Sequence, residues 1–360
     1  MFALYTNTIS AHQLPLAREL AVRLGVENFR YVYETEPAGG NQETREREQW
    51  MLRADAPGAA ELLESCDVLL AGGMRPTGLF ERRVAGGRLT FYQTERWFKP
   101  IRIFGHLLVS GSLRLLHPGY RRMARRFARL MENDSFRVLP IGPWAARDME
   151  GLFRRFHSGA AFVRELVPWG YFVAPGAGAP RRVPADGELK VLWVGRLLDW
   201  KCVDTIVDAV AKLGSSEDEK VLLTIVGDGP EKAGLERRSA AANLGPAVRF
   251  LPRVDICRVR ELMREHDVYV LSSNATEGWG AALSEAMEEG MLAFGTNEAG
   301  ASSALLPESR RFRCGDVEAL AGLLAGARRM APTPMPPDFT AAGAAARLLA
   351  VVERMRRDVR

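Results

Sequence analysis

The sequence predicts an α/β protein built as two Rossmann-like domains, and three observations predict it. Short apolar runs alternate with helical patterns along the chain, as the strands of a parallel sheet alternate with their crossover helices. At 360 residues the chain is long enough for two domains of ordinary size. Across 167–184 the composition changes to VPWGYFVAPGAGAPRRVP, dense in proline and glycine, which reads as a hinge. The expected boundaries are an N-terminal domain over 1–170, a linker over 171–186, a C-terminal domain over 187–335 and a final helix over 336–360.

In the N-terminal half, 2–5 is an apolar run and reads as a first strand, with 6–13 a polar turn holding His12. Residues 14–24 carry apolar side chains at helical spacing and are closed by Gly25. A second strand is expected over 29–33, a loop over 37–42 and a charged stretch over 43–53. A third strand, 67–70, runs towards Gly72-Gly73. A fourth, 89–92, carries Gln93, Thr94, Glu95, Arg96, Trp97, Phe98 and Lys99 at its end. Ligands of open α/β sheets sit at the carboxyl ends of the strands, so this cluster and the His12 turn should face one cleft. Residues 136–139 read as a strand and 145–156 as a helix, with Trp169 and Tyr171 as packing residues of the hinge.

The bulk numbers exclude several classes. Apolar residues at 47% and charged residues at 26% describe a soluble globular protein and rule out wholesale disorder. No apolar run approaches the roughly 18 residues of a membrane span, and MFALYTNTIS lacks a basic leader and cleavage site. The four cysteines, Cys66, Cys202, Cys257 and Cys314, are scattered without a C-x-x-C pair, against a disulfide framework or zinc site. A reducing cytoplasm is the expected home.

The net charge is +5, and seven arginines gather in the Arg114–Arg137 region. Pro118-Gly119 should break that run, so a helix is expected from about Tyr120. Its basic, amphipathic pattern suits an anionic membrane face. It equally suits a surface helix whose apolar stripe is core, and both readings stand. Nucleic acid is not an expected partner, because no stacking or groove-reading module accompanies the charge.

The C-terminal half repeats the strand–helix rhythm. Residues 189–194 form a strand, Gly195-Arg196 a turn and 204–213 a helix. Residues 221–226 run into Gly227-Asp228-Gly229-Pro230 and a helix ending before Gly245, and 248–251 and 259–265 follow as strand and helix. Then comes DVYVLSSNATEGWGAALSEAMEEG over 267–290: a strand over 268–271, a glycine-containing turn, and a helix opening near Gly280. A strand feeding through glycines into a helix offers unpaired N–H groups and a positive dipole end, a seat for phosphate. Glu277 and Glu285 bracket it. Anions at a phosphate seat would repel, so these carboxylates should accept hydrogen bonds from sugar hydroxyls. A strand over 291–294, a helix over 317–329, the proline-rich APTPMPPDF and a last helix over 340–356 complete the chain.

Around these residues the sequence resembles the retaining GT-B glycosyltransferases, above all family 4 (group 1), from about 189 to 324. The likeness rests on Glu277-(x)7-Glu285, on Val194-Gly195-Arg196 with Lys201, and on Gly227-x-Gly229-Pro230, in that family's order. It is not the dinucleotide fingerprint, since Lys232 stands where a third glycine belongs. The resemblance implies a GT-B fold, two Rossmann-like domains facing across a cleft, with the donor in the second and the acceptor in the first. It implies that Arg196 and Lys201 stabilise the departing diphosphate and that Gly280 and Ala281 offer amides to it, with Gly229 nearby. Glu285 would hold the ribose, and Glu277 the donor sugar beside the reacting centre. The final helix would cross back onto the first domain. Three departures are visible: Cys202 replaces a usual glycine, Trp279 a usual Phe or Tyr, and NEAGASSALL keeps Gly300 but lacks the family's following acid, which leaves the donor sugar open.

For the acceptor side, TERWFK resembles the Glu-Arg…Lys segment of polysaccharide-building members. Glu95 is the candidate acid, with a structural pairing to Arg96 or Lys99 as the alternative. His12, in the first turn, is the candidate histidine, with His106 the other; His117, His157 and His266 read as ordinary. No Asp-x-Asp occurs to hold a metal between phosphates, so no metal and no cofactor beyond the nucleotide-diphosphate sugar co-substrate is expected.

The expected activity is transfer from a nucleotide sugar to a sugar or lipid-linked glycan in envelope or exopolysaccharide assembly. The expected location is cytoplasmic, peripheral at the inner membrane face. A natural-product glycosyltransferase, a nucleotide-sugar epimerase of the same fold and an inactive sugar-nucleotide sensor remain as alternatives.

Overall fold

The computed structural model describes residues 1–36, 47–73, 78–103, 107–157, 166–176, 178–214 and 220–358. The chain divides into one unit of Met1–Phe172 with Pro337–Arg360 and a second of Val173–Pro336. The 37–42 loop, the start of the charged stretch and His106 lie outside the described residues.

In the first unit, parallel strands β1 (Phe2–Thr8), β2 (Phe29–Thr35), β3 (Met51–Arg53), β4 (Val68–Gly72) and β5 (Leu89–Thr94) form a sheet with β8 (Phe136–Pro140). The short antiparallel pair β6 (Ile101–Ile103) and β7 (Leu107–Val109) stands apart. The strand order is β3-β2-β1-β4-β5-β8. Val68–Gly72 and Leu89–Thr94 are buried along their whole length, because helices cover both faces of a doubly wound sheet. Helices α1 (Leu14–Leu24), α2 (Ala59–Ser65), α3 (Gly78–Ala85), α4 (Pro118–Met131) and α5 (Pro143–Phe156) provide that cover.

The second unit repeats the plan. Strands β9 (Leu189–Val194), β10 (Val221–Val226), β11 (Val248–Leu251), β12 (Val268–Leu271), β13 (Leu292–Thr296) and β14 (Arg311–Phe312) are ordered β11-β10-β9-β12-β13-β14. Helices α6 (Val203–Leu213), α7 (Lys232–Ala241), α8 (Ile256–Glu265), α9 (Ala281–Glu288), α10 (Gly300–Leu305) and α11 (Val317–Gly326) complete it. One core runs through Val191, Trp193, Ile206, Val210, Ile225, Val270 and Phe294. In each unit the order reverses beside the first strand, so the carboxyl ends of β1 and β4, and of β9 and β12, flank a crevice where such folds take ligands.

Several expectations need correction. The N-terminal strands run past their expected ends into polar residues, to Thr8, Thr35, Gly72 and Thr94. Ladder hydrogen bonds are made by the main chain, and Thr94 still pairs with Pro140. Helix α4 starts at Pro118, not near Tyr120. Proline costs nothing at a first helical position, where its missing N–H has no acceptor, and His117 Nδ1 accepts from the Tyr120 amide at 3.4 Å. The apolar side of α4 (Ala124, Phe127, Leu130, Met131) is buried against the core of the first unit, so only its arginine face is outward. The short elements α2, α3, α10, β3 and β14 were not legible as periodicity.

The last helix, α12 (Ala341–Asp358), packs on α1, with Ala344, Leu348 and Val352 buried and Arg23 Nη2 donating to the Ala342 carbonyl at 3.3 Å. The glycine-rich segment is irregular yet anchored. Trp169 bridges to Ile141 and is fully buried in the first unit, while in the second Arg181 Nη2 caps α8 by donating to the Met263 and His266 carbonyls, both at 2.9 Å. Among the described residues no helix is long and apolar enough to cross a membrane.

Candidate functional site

Three loops meet at the carboxyl edge of the second sheet. The loop after β9 carries Gly195, Arg196 and a single 3-10 turn, Asp199–Lys201, before Cys202 opens α6. The loop after β10 lies directly on it: Leu197 N donates to the Asp228 carbonyl at 2.9 Å, and a Cβ on Gly227 or Gly229 would collide with the Gly195 or Leu197 carbonyl. Gly229 is therefore needed for close approach of two backbones. The loop after β12 is tied in from the other side, with Ser272 Oγ donating to the Lys201 carbonyl at 2.6 Å and Asn274 N to that of Trp200 at 2.8 Å.

These ties bring Lys201 and Glu277 together. Lys201 Nζ pairs with Glu277 Oε2, and Ser273 Oγ donates to the same oxygen at 3.1 Å. Glu277 is held by a tight turn in which its amide donates to the Asn274 carbonyl at 3.0 Å and the Thr276 amide to Asn274 Oδ1 at 2.9 Å. Gly280 then adopts φ +95°, where a side chain would meet Leu271, and Ala281 opens α9. The first amides of a helix have no acceptor within it, so this end is available to an anion. Arg196 is exposed at the end of β9, and no hydrogen bond or ion pair joins its side chain to Lys201 or Glu277.

Glu285 lies one turn inside α9 and is buried. Beneath it sits Tyr269, whose phenol is pushed far above its usual range by complete burial and by the nearby charges of Glu285 and Glu277. Trp279 is a core residue, fully buried with Nε1 donating to Ser284 Oγ at 3.1 Å. The loop after β13 packs beneath that turn, since Ala301 N donates to the Trp279 carbonyl at 2.9 Å. Glu298, the acid of that loop, accepts from the Cys314 amide at 3.2 Å.

The first unit has its own cavity of about 310 Å³ at the carboxyl edge of β4 and β5, lined by Gln13, Gly73, Glu95, Arg96, Ile141 and Tyr171 among others. Glu95 Oε2 accepts from Lys99 Nζ at 2.6 Å, and Tyr171 donates to its Oε1 at 2.6 Å. Burial pushes the Glu95 carboxyl up, but Lys99 and Tyr171 more than offset this and hold it below the usual range. The His12 ring stacks on Tyr171 at 5.6 Å between centroids. Glu95 and His12, far apart in sequence, therefore meet on one phenol. The expected alternative for Glu95 is also realised, through Lys99. Tyr171, expected only to pack, is the residue sequence reasoning missed; an aromatic inside a glycine-rich run carries no signal for the carboxylate it will meet. His266 is buried between the Leu262 carbonyl and Thr224 Oγ1.

Residues 180–327, which contain the whole of the second-unit site, match a family model. The family is the glycosyl transferases group 1. An uncharacterized glycosyltransferase of Methanocaldococcus jannaschii is 31% identical over 28% of this chain and 25% of its own. A D-inositol 3-phosphate glycosyltransferase of Jonesia denitrificans is 30% identical over 48% of this chain and 44% of its own. The chain thus spans less than half the length of either relative. Among solved structures, a lipopolysaccharide outer core galactosyltransferase, WaaB, superposes with a TM-score of 0.64 at 12% identity, covering 98% of this chain and 99% of that one. The HepE protein of Anabaena in complex with UDP gives 0.57 at 17% identity, covering 100% and 99%. At these identities the likeness is one of fold, and the fold is GT-B.

Within the group 1 region lie Arg196, Lys201, Gly229, Glu277, Gly280, Ala281 and Glu285 together. Glu95 and His12 lie outside it. Among the described residues no cluster of three His, Cys, Asp or Glu side chains is placed to hold a metal ion.

Proposed function

We propose that the protein is a glycosyltransferase that moves a sugar from a nucleoside-diphosphate sugar to an acceptor hydroxyl, with retention and without a metal ion. The observation that carries this reading is the meeting of Lys201 and Glu277 at the switch point of the group 1 region. There a cation, a carboxylate and the free amides of α9 converge on one crevice. The named relatives are glycosyltransferases, which supports the use of the site for a sugar donor.

In the proposed reaction the diphosphate rests on the Gly280–Ala281 end of α9. Lys201 and Arg196 face the charge that grows as the bond from the anomeric carbon to the phosphate oxygen breaks. Interactions that strengthen with that charge lower the barrier more than they tighten substrate binding. Glu285 accepts from the ribose hydroxyls and Glu277 from a hydroxyl of the sugar. The acceptor oxygen forms its bond on the face the diphosphate leaves, and the departing phosphate oxygen takes the acceptor proton. With the charge met by Arg196, Lys201 and amides, a chelator should leave the rate unchanged.

The cavity around Glu95, Tyr171 and His12 is the proposed acceptor pocket. For the acceptor we propose a lipid-linked glycan of envelope or exopolysaccharide assembly, reached from the cytoplasmic face of an anionic membrane. The support is in the first unit: Arg121, Arg122, Arg125 and Arg129 are exposed along α4, beside Leu113 and Leu116 at 45% and 76% exposure. Arginines with adjoining apolar side chains suit an anionic lipid surface.

A melting-temperature screen of UDP- and GDP-sugars with and without acceptor lipids tests this reading. Binding of a nucleoside diphosphate raises the melting temperature by mass action. Transferred sugar on the acceptor supports transfer; epimerised nucleotide sugar formed without acceptor overturns it.

A further inference from the structure

The residue after Lys201 breaks a backbone rule. Cys202 adopts φ +47° and ψ +44°, the left-handed region that glycine enters freely and other residues enter at a cost. Its sulfur is half-buried, 3.6 Å from the carbonyl oxygens of both Asp199 and Trp200. Cys314, 112 residues further on and just past β14, places its sulfur 3.6 Å from the Ser272 carbonyl. Trp200 and Lys201 are the residues whose carbonyls accept from Asn274 N and Ser272 Oγ. The two thiols therefore sit on the same short junction of backbone, and each is the largest influence on the other's proton affinity. Both are free thiols.

We propose that Cys202 and Cys314 are a reversible dithiol–disulfide pair whose oxidation disengages Lys201 from Glu277 and weakens nucleotide binding. The second half of this inference rests on the donor-site reading given above. Chemistry favours Cys202 as the attacking sulfur. The nearby Cys314 thiol draws the Cys202 thiol below the usual range against the opposing effect of burial, and Cys202 opens the 11-residue helix α6, whose dipole favours a thiolate. Cys314 is pushed up by its Cys202 neighbour and by burial, as suits a partner that keeps its proton until a sulfenic acid is presented to it.

With hydrogen peroxide as oxidant, the Cys202 thiolate attacks one peroxide oxygen, the O–O bond breaks, and the departing hydroxide takes a proton to leave as water. Cys314 then loses its proton and attacks the sulfenic sulfur. The S–O bond breaks, a second water leaves and the S–S bond forms. Two thiols are oxidised by two electrons and one peroxide is reduced to two waters. Bringing the sulfurs to bonding distance, about 2.05 Å, ties Cys314 covalently to Cys202, whose backbone is already in a costly conformation, and Lys201 is its immediate neighbour.

The test uses the full chain carrying Cys257→Ser, which removes the exposed thiol and its intermolecular cross-links. Reduced protein is treated with hydrogen peroxide, digested without reductant and analysed by mass. The nucleoside diphosphate that the reduced protein binds, UDP or GDP, is then titrated into both forms. The expected result is a Cys202–Cys314 peptide that dithiothreitol resolves, and nucleotide affinity at least threefold lower in the oxidised form. The cross-link and the sensitivity should both be absent in Cys314→Ser and in Cys202→Gly. Absence of that peptide overturns the pair. A cross-link that leaves nucleotide affinity unchanged overturns its coupling to the site. Reduced protein that binds neither nucleotide overturns the donor-site reading alone, because the cross-link is read by mass.

Discussion

Lys201 Nζ and Glu277 Oε2 form an ion pair across the switch point of the second sheet, with the two side chains only 19% and 15% exposed. An ion pair so shielded gives little net stability, because desolvating each charge costs about as much as their attraction returns. What it provides is placement: a cation and a carboxylate held ready beside the first amides of α9.

Replacing Glu277 by alanine is expected to lower kcat/KM for sugar transfer about 10²-fold or more, the usual scale for removing one group aimed at the reacting centre. Glu277→Gln, which keeps the shape and loses the charge, should recover part of that. Steady-state rates with the nucleotide sugar identified by melting-temperature screening give the values. An unchanged rate in Glu277→Ala removes the residue from the active site.

Glu285 is expected to act on binding more than on the chemical step. Glu285→Ala should raise KM for the donor with a smaller change in kcat, the pattern of an interaction made equally in ground and transition states. Comparing ribose and 2′-deoxyribose nucleotides sharpens this. The native protein should discriminate between them by tenfold or more, and the variant should not, as calorimetric titration would show.

The Glu95 carboxyl is held below the ordinary carboxylate range in the fold, so the unfolded chain binds its proton more readily. Stability from this group is complete above the unfolded value of about 4.3 and is lost as pH falls through the lowered folded value. Melting temperature should therefore drop more steeply at acid pH in the native protein than in Glu95→Gln. Parallel acid profiles would show that the Lys99 and Tyr171 contacts do not hold the charge in solution.

The arginine face of α4 should govern membrane association. Reversing Arg121, Arg122 and Arg129 to glutamate is expected to abolish co-sedimentation with vesicles rich in anionic lipid, while nucleotide binding stays as in the native protein. Arg126 is left in place because it pairs with Glu81. Each basic side chain near such a surface contributes about 1 kcal/mol, so reversing three is a large perturbation. Undiminished co-sedimentation would end the membrane proposal.

The sequence carried the order of the elements well, and most clearly in the second unit. There the strands expected over 189–194, 221–226, 248–251 and 268–271 have those limits in the structure. Each is a largely apolar run ended by glycine, proline or serine, signals confined to a few residues. It was weaker where an element is short or where chain polarity conceals pairing, as with β3 inside a charged stretch. The amphipathic reading of α4 was right about its two faces and silent about which neighbour would take the apolar one.

What the sequence by itself determined is the alternation of strands and helices, the glycines that let loops approach, and the acids that bracket the start of α9. All of these follow from periodicity and backbone preference within a short window. The tertiary structure alone decided that Lys201 would meet Glu277, that Tyr171 would join Glu95 to His12, and that Cys202 and Cys314 would come to one loop junction. Those pairings join residues 76 to 159 positions apart, or depend on a turn reaching a strand end, and they arise only once the crossovers have put β9 beside β12 and β1 beside β4. Local sequence sets which residues stand at the ends of strands; the order in which strands pair sets which ends become neighbours.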